Sequence, residues 1–214
     1  MSDEPKPGTP DAKRSNSAAA EVENADVELG KKIASKRHHP LVKAAADAGK
    51  FGDQGPLYAL SSGILIVGVA SRDRRLTDCG LAMLAAIGAA DLGKRLAKRL
   101  VRRTRPHVLL DEGRYETDTG GSDDKPEQSF PSGHTACTVA AARALSRNFP
   151  ETAAAGGAAA VAIGITRIAK GAHWPLDVAA GALIGLAAEA LSAVFYDQCR
   201  ALAPQSGKTG RQSS

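Results

Sequence analysis

The chain of 214 residues has little cysteine: Cys79, Cys137 and Cys199 lie far apart, with no CxxC or Cys/His spacing. A disulfide framework and a structural zinc site are therefore not expected. Aromatic residues are only 4% of the chain, and no stretch alternates polar and apolar residues with period two. An extended sheet is thus excluded, and any core must be built on small aliphatic side chains. No internal repeat is visible, and no cluster of Asp and Glu has metal-ligand spacing. No compact apolar run follows the first basic residues, so an ordinary secretory signal peptide is not expected. The 22 glycines and 11 prolines are ordinary numbers, which excludes collagen-like and wholly disordered classes.

The net charge of +5 permits nucleic acid, anionic lipid or phosphorylated small molecules as partners. Mean hydropathy is −0.20, but the average hides polar ends and an apolar middle. Residues 1–24 mix Pro, Ser, Ala and charge without period and read as a disordered tail. Residues 25–50 read as a basic amphipathic segment. Within it 25–47 can form a helix anchored on Val27, Leu29, Ile33, Leu41 and Val42, interrupted at Pro40. It suits an anionic membrane surface or a solvated arm. His38 and His39 are adjacent, point in different directions on a helix, and read as surface residues. Residues 198–214 read as a second disordered tail.

Five apolar stretches fill 51–197: Leu57–Ala70, Leu76–Leu92, Thr135–Leu145, Thr152–Ile168 and Leu176–Phe195. They are rich in Ala and Gly, which lets helices approach closely inside a bilayer. The last two carry almost no charge on any face. The fold class expected is all-α: a membrane bundle of about five apolar helices preceded by an amphipathic helix. A soluble bundle with Ala-rich cores is the alternative.

Three blocks place cations and histidines beside these helices. In the first, Lys98 and Arg105 are seven residues apart, two helical turns on one face, and Pro106 stops the helix. Two cations on one face can hold one anion. Their neighbours Lys94, Arg95, Arg99, Arg102 and Arg103 read as the basic end of a helix at a membrane interface. In the second block, Phe130-Pro131-Ser132-Gly133-His134 opens a helix. Ser132 is a candidate cap, the backbone N–H groups suit phosphate, and His134 is poised for proton transfer. The third block runs Thr166-Arg167 to His173 and Asp177. His173 and Asp177 are four apart on one helix face, so the carboxylate can fix the imidazole tautomer and leave the other nitrogen as nucleophile or base. With five spanning helices, all three blocks fall on the same side.

Order and spacing resemble the type 2 phosphatidic acid phosphatase superfamily, whose signature is Lys-x6-Arg-Pro, Pro-Ser-Gly-His and Ser-Arg-x5-His-x3-Asp. Here these read Lys98 to Arg105-Pro106, Pro131 to His134, and Thr166-Arg167 to His173 and Asp177. The one departure is Thr166 for Ser. The resemblance implies that Lys98, Arg105 and Arg167 neutralise phosphoryl oxygens, with Ser132 and the Gly133 N–H donating to the same oxygens. It implies that His173 attacks phosphorus and becomes phosphohistidine, held by Asp177. His134 would protonate the leaving oxygen and then activate water. The expected protein is an integral, multi-pass membrane phosphatase of a bacterial inner membrane. It needs no cofactor and no metal. Its expected partners are a lipid phosphate or isoprenoid pyrophosphate and membrane lipids, and no nucleic acid. A vanadate-dependent haloperoxidase-like enzyme and a weakly active phosphate- or lipid-binding protein are the alternatives.

Overall fold

The computed structural model describes residues 10–202, with side chains described from residue 18 to residue 201. The tail regions 1–9 and 203–214 lie outside the described residues. Among the described residues eight α-helices follow one another: α1 (Pro10–Ala34), α2 (Pro40–Ala48), α3 (Gln54–Ser71), α4 (Arg74–Lys98), α5 (Pro106–Glu112), α6 (Gly133–Asn148), α7 (Ala153–Ala169) and α8 (Pro175–Leu202). Each of the five apolar stretches falls in one of the helices α3, α4, α6, α7 and α8, save Thr152, which ends the 3-10 turn before α7. Strands β1 (Val101–Arg103) and β2 (Thr117–Thr119) form a two-stranded antiparallel ribbon, in register Arg102 opposite Asp118. At three residues each, these strands are too short to leave a period-two pattern in the sequence.

The helix ends follow local chemistry. Asp73 caps α4 by accepting from the backbone N–H groups of Arg75 and Leu76 at 2.8 and 3.2 Å. Pro40 opens α2 and Pro106 opens α5, where a missing N–H costs nothing. The core lies between α4 and α6, with Met83, Ala86, Ile87 and Ala90 against Ala136, Cys137, Ala140 and Ala144. Alanine on α6 and glycine on α8 let those backbones come close. A Cβ on Gly185 would lie only 2.9 Å from Val139 Cβ.

The outer faces are apolar. Leu60, Ile66, Val67 and Val69 on α3, Leu81 and Leu92 on α4, Val161 and Ile165 on α7, and Leu183, Leu191 and Phe195 on α8 are all exposed. A water-soluble bundle would put such residues inside and alanine outside; here the order is reversed. Among the described residues four helices are long and apolar enough to cross a membrane: Gln54–Ser71, Arg74–Lys98, Pro150–Ala169 and Pro175–Ala201. The shorter α6 packs against α3, α4, α7 and α8. The chain is an integral, multi-pass membrane protein.

Two boundaries differ from the sequence reading. Helix α1 takes in residues 10–24, read above as tail, and α8 continues through residues 198–202. Nor is α1 anchored on its larger apolar residues. Leu29 is half exposed, while Asp26, Gly30 and Ala34, at i+4 spacing, are buried on one face. That face packs against α5, α7 and α8.

Candidate active site

Helices α4 and α7 end, and α3, α6 and α8 begin, at the same end of the bundle. The loops and helices α1, α2 and α5 gather there too. Between them is a cleft of about 740 Å³, lined among others by Lys98, Arg105, Gly133, His134, Arg167 and His173. Six of the eight sequence-predicted site residues therefore face one cavity. The other two, Ser132 and Asp177, lie fully buried behind it.

Each cation is fixed by the backbone around it. Lys98, in the last turn of α4, donates to the Gln128 carbonyl at 2.7 Å. Arg105 does not share a helix face with Lys98: α4 ends at Lys98, β1 intervenes, and Arg105 precedes Pro106 at the start of α5, its own N–H held by the Pro126 carbonyl at 2.9 Å. Arg167, in the last turn of α7, donates through Nη2 to the Gly49 carbonyl at 2.9 Å. The Nε groups of Arg105 and Arg167 are buried with no hydrogen-bond partner among the described residues. A buried charged donor without an acceptor is costly, so both point to an anion as the missing partner. Lys50, Lys94 and Lys170 add positive charge to the walls.

Gly133 and His134 form the first turn of α6, with Ser132 as its N-cap. The Ser132 hydroxyl is engaged with Thr135, 3.0 Å from Oγ1, and is not presented to the cleft. Its capping duty competes with the phosphate contact expected of it. The Ser132 N–H donates to the Asp177 carbonyl at 2.9 Å, which ties the second motif to the third. The His134 Nε2 is paired with the carboxylate of Asp53, just before α3. Asp53 was not singled out in the sequence, because it stands alone and far from every motif. The Thr166 hydroxyl bonds the Ile163 carbonyl at 2.7 Å within its own helix, so Thr in place of Ser directs no hydroxyl at the cleft.

His173 sits after a turn whose Gly171 has φ +74°, a conformation that favours glycine. Its Nδ1 is 2.7 Å from the Ser129 carbonyl oxygen and 3.8 Å from Asp177 Oδ2. The direct acceptor is thus the backbone, and not the carboxylate that the i,i+4 spacing suggested. With Nδ1–H donating to Ser129, Nε2 carries the lone pair. Burial pushes the His173 pKa below the ordinary imidazole value; Arg105 and Lys98 act in the same sense, and Asp177 opposes them. Asp177 accepts from Ser129 Oγ at 2.5 Å, the Trp174 N–H at 2.8 Å and Arg103 Nη1 at 2.9 Å. Arg103 is therefore not a solvated interfacial cation. It is buried, and three carboxylates, Glu23, Asp26 and Asp177, surround it. Its place in a run of basic residues hid this.

The family model of the PAP2 superfamily matches residues 80–201, which contain all three motifs. The chain belongs to the PAP2 superfamily. It is 38% identical over 104 residues to a lipid A 1-phosphatase of Rhizobium etli, a match that covers 49% of this chain and 44% of that protein. It is 37% identical over 89 residues to a non-specific acid phosphatase of Salmonella typhi, covering 42% and 35% of the two chains. The chain thus spans less than half the length of these curated relatives. The crystal structure of LpxE from Aquifex aeolicus superposes with a TM-score of 0.55 at 27% identity, covering 78% of this chain and 93% of that one. A transmembrane PAP2-type phosphatidylglycerolphosphate phosphatase from Bacillus subtilis shares the fold, with a TM-score of 0.59 at 24% identity, covering 87% and 89%. Among the described residues no group of three or more His, Cys, Asp or Glu is placed to hold a metal ion. The acidic stretch 116–127 instead forms β2 and a short 3-10 turn at 125–127, with Glu127 bound to Arg114 and Ser122.

Proposed function

We propose that this PAP2 protein is a membrane phosphatase that hydrolyses a lipid-linked phosphate monoester or pyrophosphate through phosphohistidine. The observation that carries the reading is the pair of buried, unpartnered guanidinium nitrogens, on Arg105 and Arg167, in the cleft that His173 lines. Phosphoryl transfer asks mainly for positioning and for neutralisation of the equatorial oxygens. Lys98, Arg105, Arg167 and the Gly133 N–H supply both, and Ser132 holds the α6 turn that presents that N–H. In the first step His173 Nε2 forms a bond to phosphorus as the bond to the leaving oxygen breaks, and His134 gives that oxygen a proton. Asp177, behind the ring, stabilises the positive charge that develops on it. In the second step His134 takes a proton from water, the hydroxide attacks phosphorus, and the N–P bond breaks to release phosphate and free His173.

The cleft opens at one end of a bundle whose outer faces are apolar, so a headgroup can enter at the membrane surface while its chains stay in lipid. The lipid A 1-phosphatase among the relatives supports a lipid phosphate as substrate. Phosphate release by the purified full chain in detergent, across a panel of lipid phosphates and isoprenoid pyrophosphates, tests the reading. Hydrolysis of at least one class, lost in His173→Ala, is the expected result. No hydrolysis of any member contradicts it.

A further inference from the structure

Helix α1 lies outside the family-matched residues, yet it reaches the underside of the site. Arg103 is the link. Its Nη1 donates to Asp177 Oδ1 at 2.9 Å, and its Nη2 donates to Asp26 Oδ2 at 2.6 Å. Glu23 on the same helix lies 3.2 Å from Nη2, Tyr115 Oη lies 3.1 Å from Nε, and the guanidinium stands over the Trp174 ring. Asp26, Arg103 and Asp177 are all buried. The other oxygen of Asp26, Oδ1, accepts from the Leu176 N–H at 2.8 Å. That N–H belongs to the first turn of α8, whose donors have no partner inside the helix. One carboxylate from α1 thus caps α8 from outside and grips the guanidinium that holds Asp177.

We propose that Asp26 and Arg103 are positioning residues for catalysis: α1 fixes the carboxylate of Asp177 behind His173 through a buried Asp26–Arg103–Asp177 bridge. A single guanidinium cannot neutralise both Asp26 and Asp177, and Glu23 beside it adds a third carboxylate, so the cluster keeps net negative charge. This remaining charge favours the cationic ring that forms as His173 takes up phosphorus. Without Asp26, Arg103 would be shared between Glu23 and Asp177, more of its charge would fall on Asp177, and that stabilisation would drop. The planar fork of Arg spans both carboxylates at once, which a lysine cannot do. Breaking a buried pair on one side leaves an uncompensated charge, so the bridge is held on both sides or on neither.

The inference rests on the phosphatase reading, and its test separates the two. Full-length protein in detergent is assayed with an aryl phosphate as wild type, Asp26→Asn, Asp26→Glu, Arg103→Lys and, as control, Glu28→Gln. Glu28 is exposed and pairs with Lys31 on its own helix. Asn at 26 keeps an oxygen for the Leu176 N–H but turns an amide N–H toward Arg103, so the α8 start survives while the bridge is broken. For Asp26→Asn the expected result is a fall in kcat of about tenfold or more with KM within about twofold, since the phosphate cradle is untouched. Phosphoenzyme formation slows in parallel, Asp26→Glu recovers most of the rate, and Glu28→Gln matches wild type. Arg103→Lys, which keeps the charge but not the fork, shows the same split and serves if Asp26→Asn does not fold. An active wild type with Asp26→Asn and Arg103→Lys at full kcat overturns the inference alone. So does a loss of activity that only follows the loss of folded protein, unrescued by Glu. A wild type that hydrolyses no phosphate ester overturns the phosphatase reading, and the inference with it.

Discussion

The Ser129 carbonyl oxygen lies 2.7 Å from Nδ1 of His173. This backbone contact settles which ring nitrogen is free, and it is independent of the ionisation of any carboxylate. Burial holds the His173 pKa below the ordinary imidazole value, so the ring proposed as nucleophile stays neutral as pH falls. In a His134→Ala background, where proton donation no longer titrates, phosphoenzyme formation from an aryl phosphate should stay level below pH of about 6.5 and decline only further down. A midpoint at or above that value would show that His173 is not held neutral by its surroundings.

On the proposed roles, His134 and His173 should fail differently. Removing His134 takes away the proton for the leaving oxygen, which should cost about 10²–10⁴-fold with an alkyl phosphate. An activated aryl phosphate leaves without a proton and should be much less affected in its first step. Water attack then lacks its base, so phosphohistidine should accumulate. Equal loss with both substrate classes and no accumulated intermediate would remove His134 from the general-acid role.

Hydrolysis should survive EDTA and be inhibited by vanadate. Lys98, Arg105 and Arg167 already supply positive charge at the cleft, where a divalent cation would meet repulsion. Vanadate takes the five-coordinate geometry of phosphorus in transfer and should occupy the same cradle. Activity lost on chelation and restored by Mg²⁺ would contradict this mechanism.

Gly185 offers a test of the α6–α8 packing. With Val139 Cβ only 2.9 Å from the place of a new Cβ, Gly185→Leu should force the helices apart. The expected cost is about 1–3 kcal/mol, read as a lower thermal transition of the detergent-solubilised protein. An unchanged transition would mean that the two helices separate freely there.

Much of this was legible in the sequence. The five apolar stretches found five helices because long runs of Ala, Gly, Leu and Val leave few other folds in lipid. The three motifs converged because connectivity alone puts them at one end. The helical face of α1 was not legible, because it is marked by Asp26, Gly30 and Ala34 and not by large apolar residues. Its partner Arg103 was hidden among six other cations between Lys94 and Arg105. Nothing local distinguishes a buried guanidinium from a solvated one; the carboxylates that bury it come from residues 23, 26 and 177. Asp53 beside His134 was missed for the same reason. Deleting residues 1–24 would take away Glu23 and the first part of α1, not an idle segment.

The central claim is that His173 Nε2 accepts the phosphoryl group. Rapid-quench with a labelled aryl phosphate, followed by an acid-lability test of the protein-bound label, addresses it most directly. The account predicts acid-labile label at His173 in the wild type, more of it in His134→Ala, and none in His173→Ala. Label that survives acid, or label that still forms in His173→Ala, would place the nucleophile elsewhere and contradict the account.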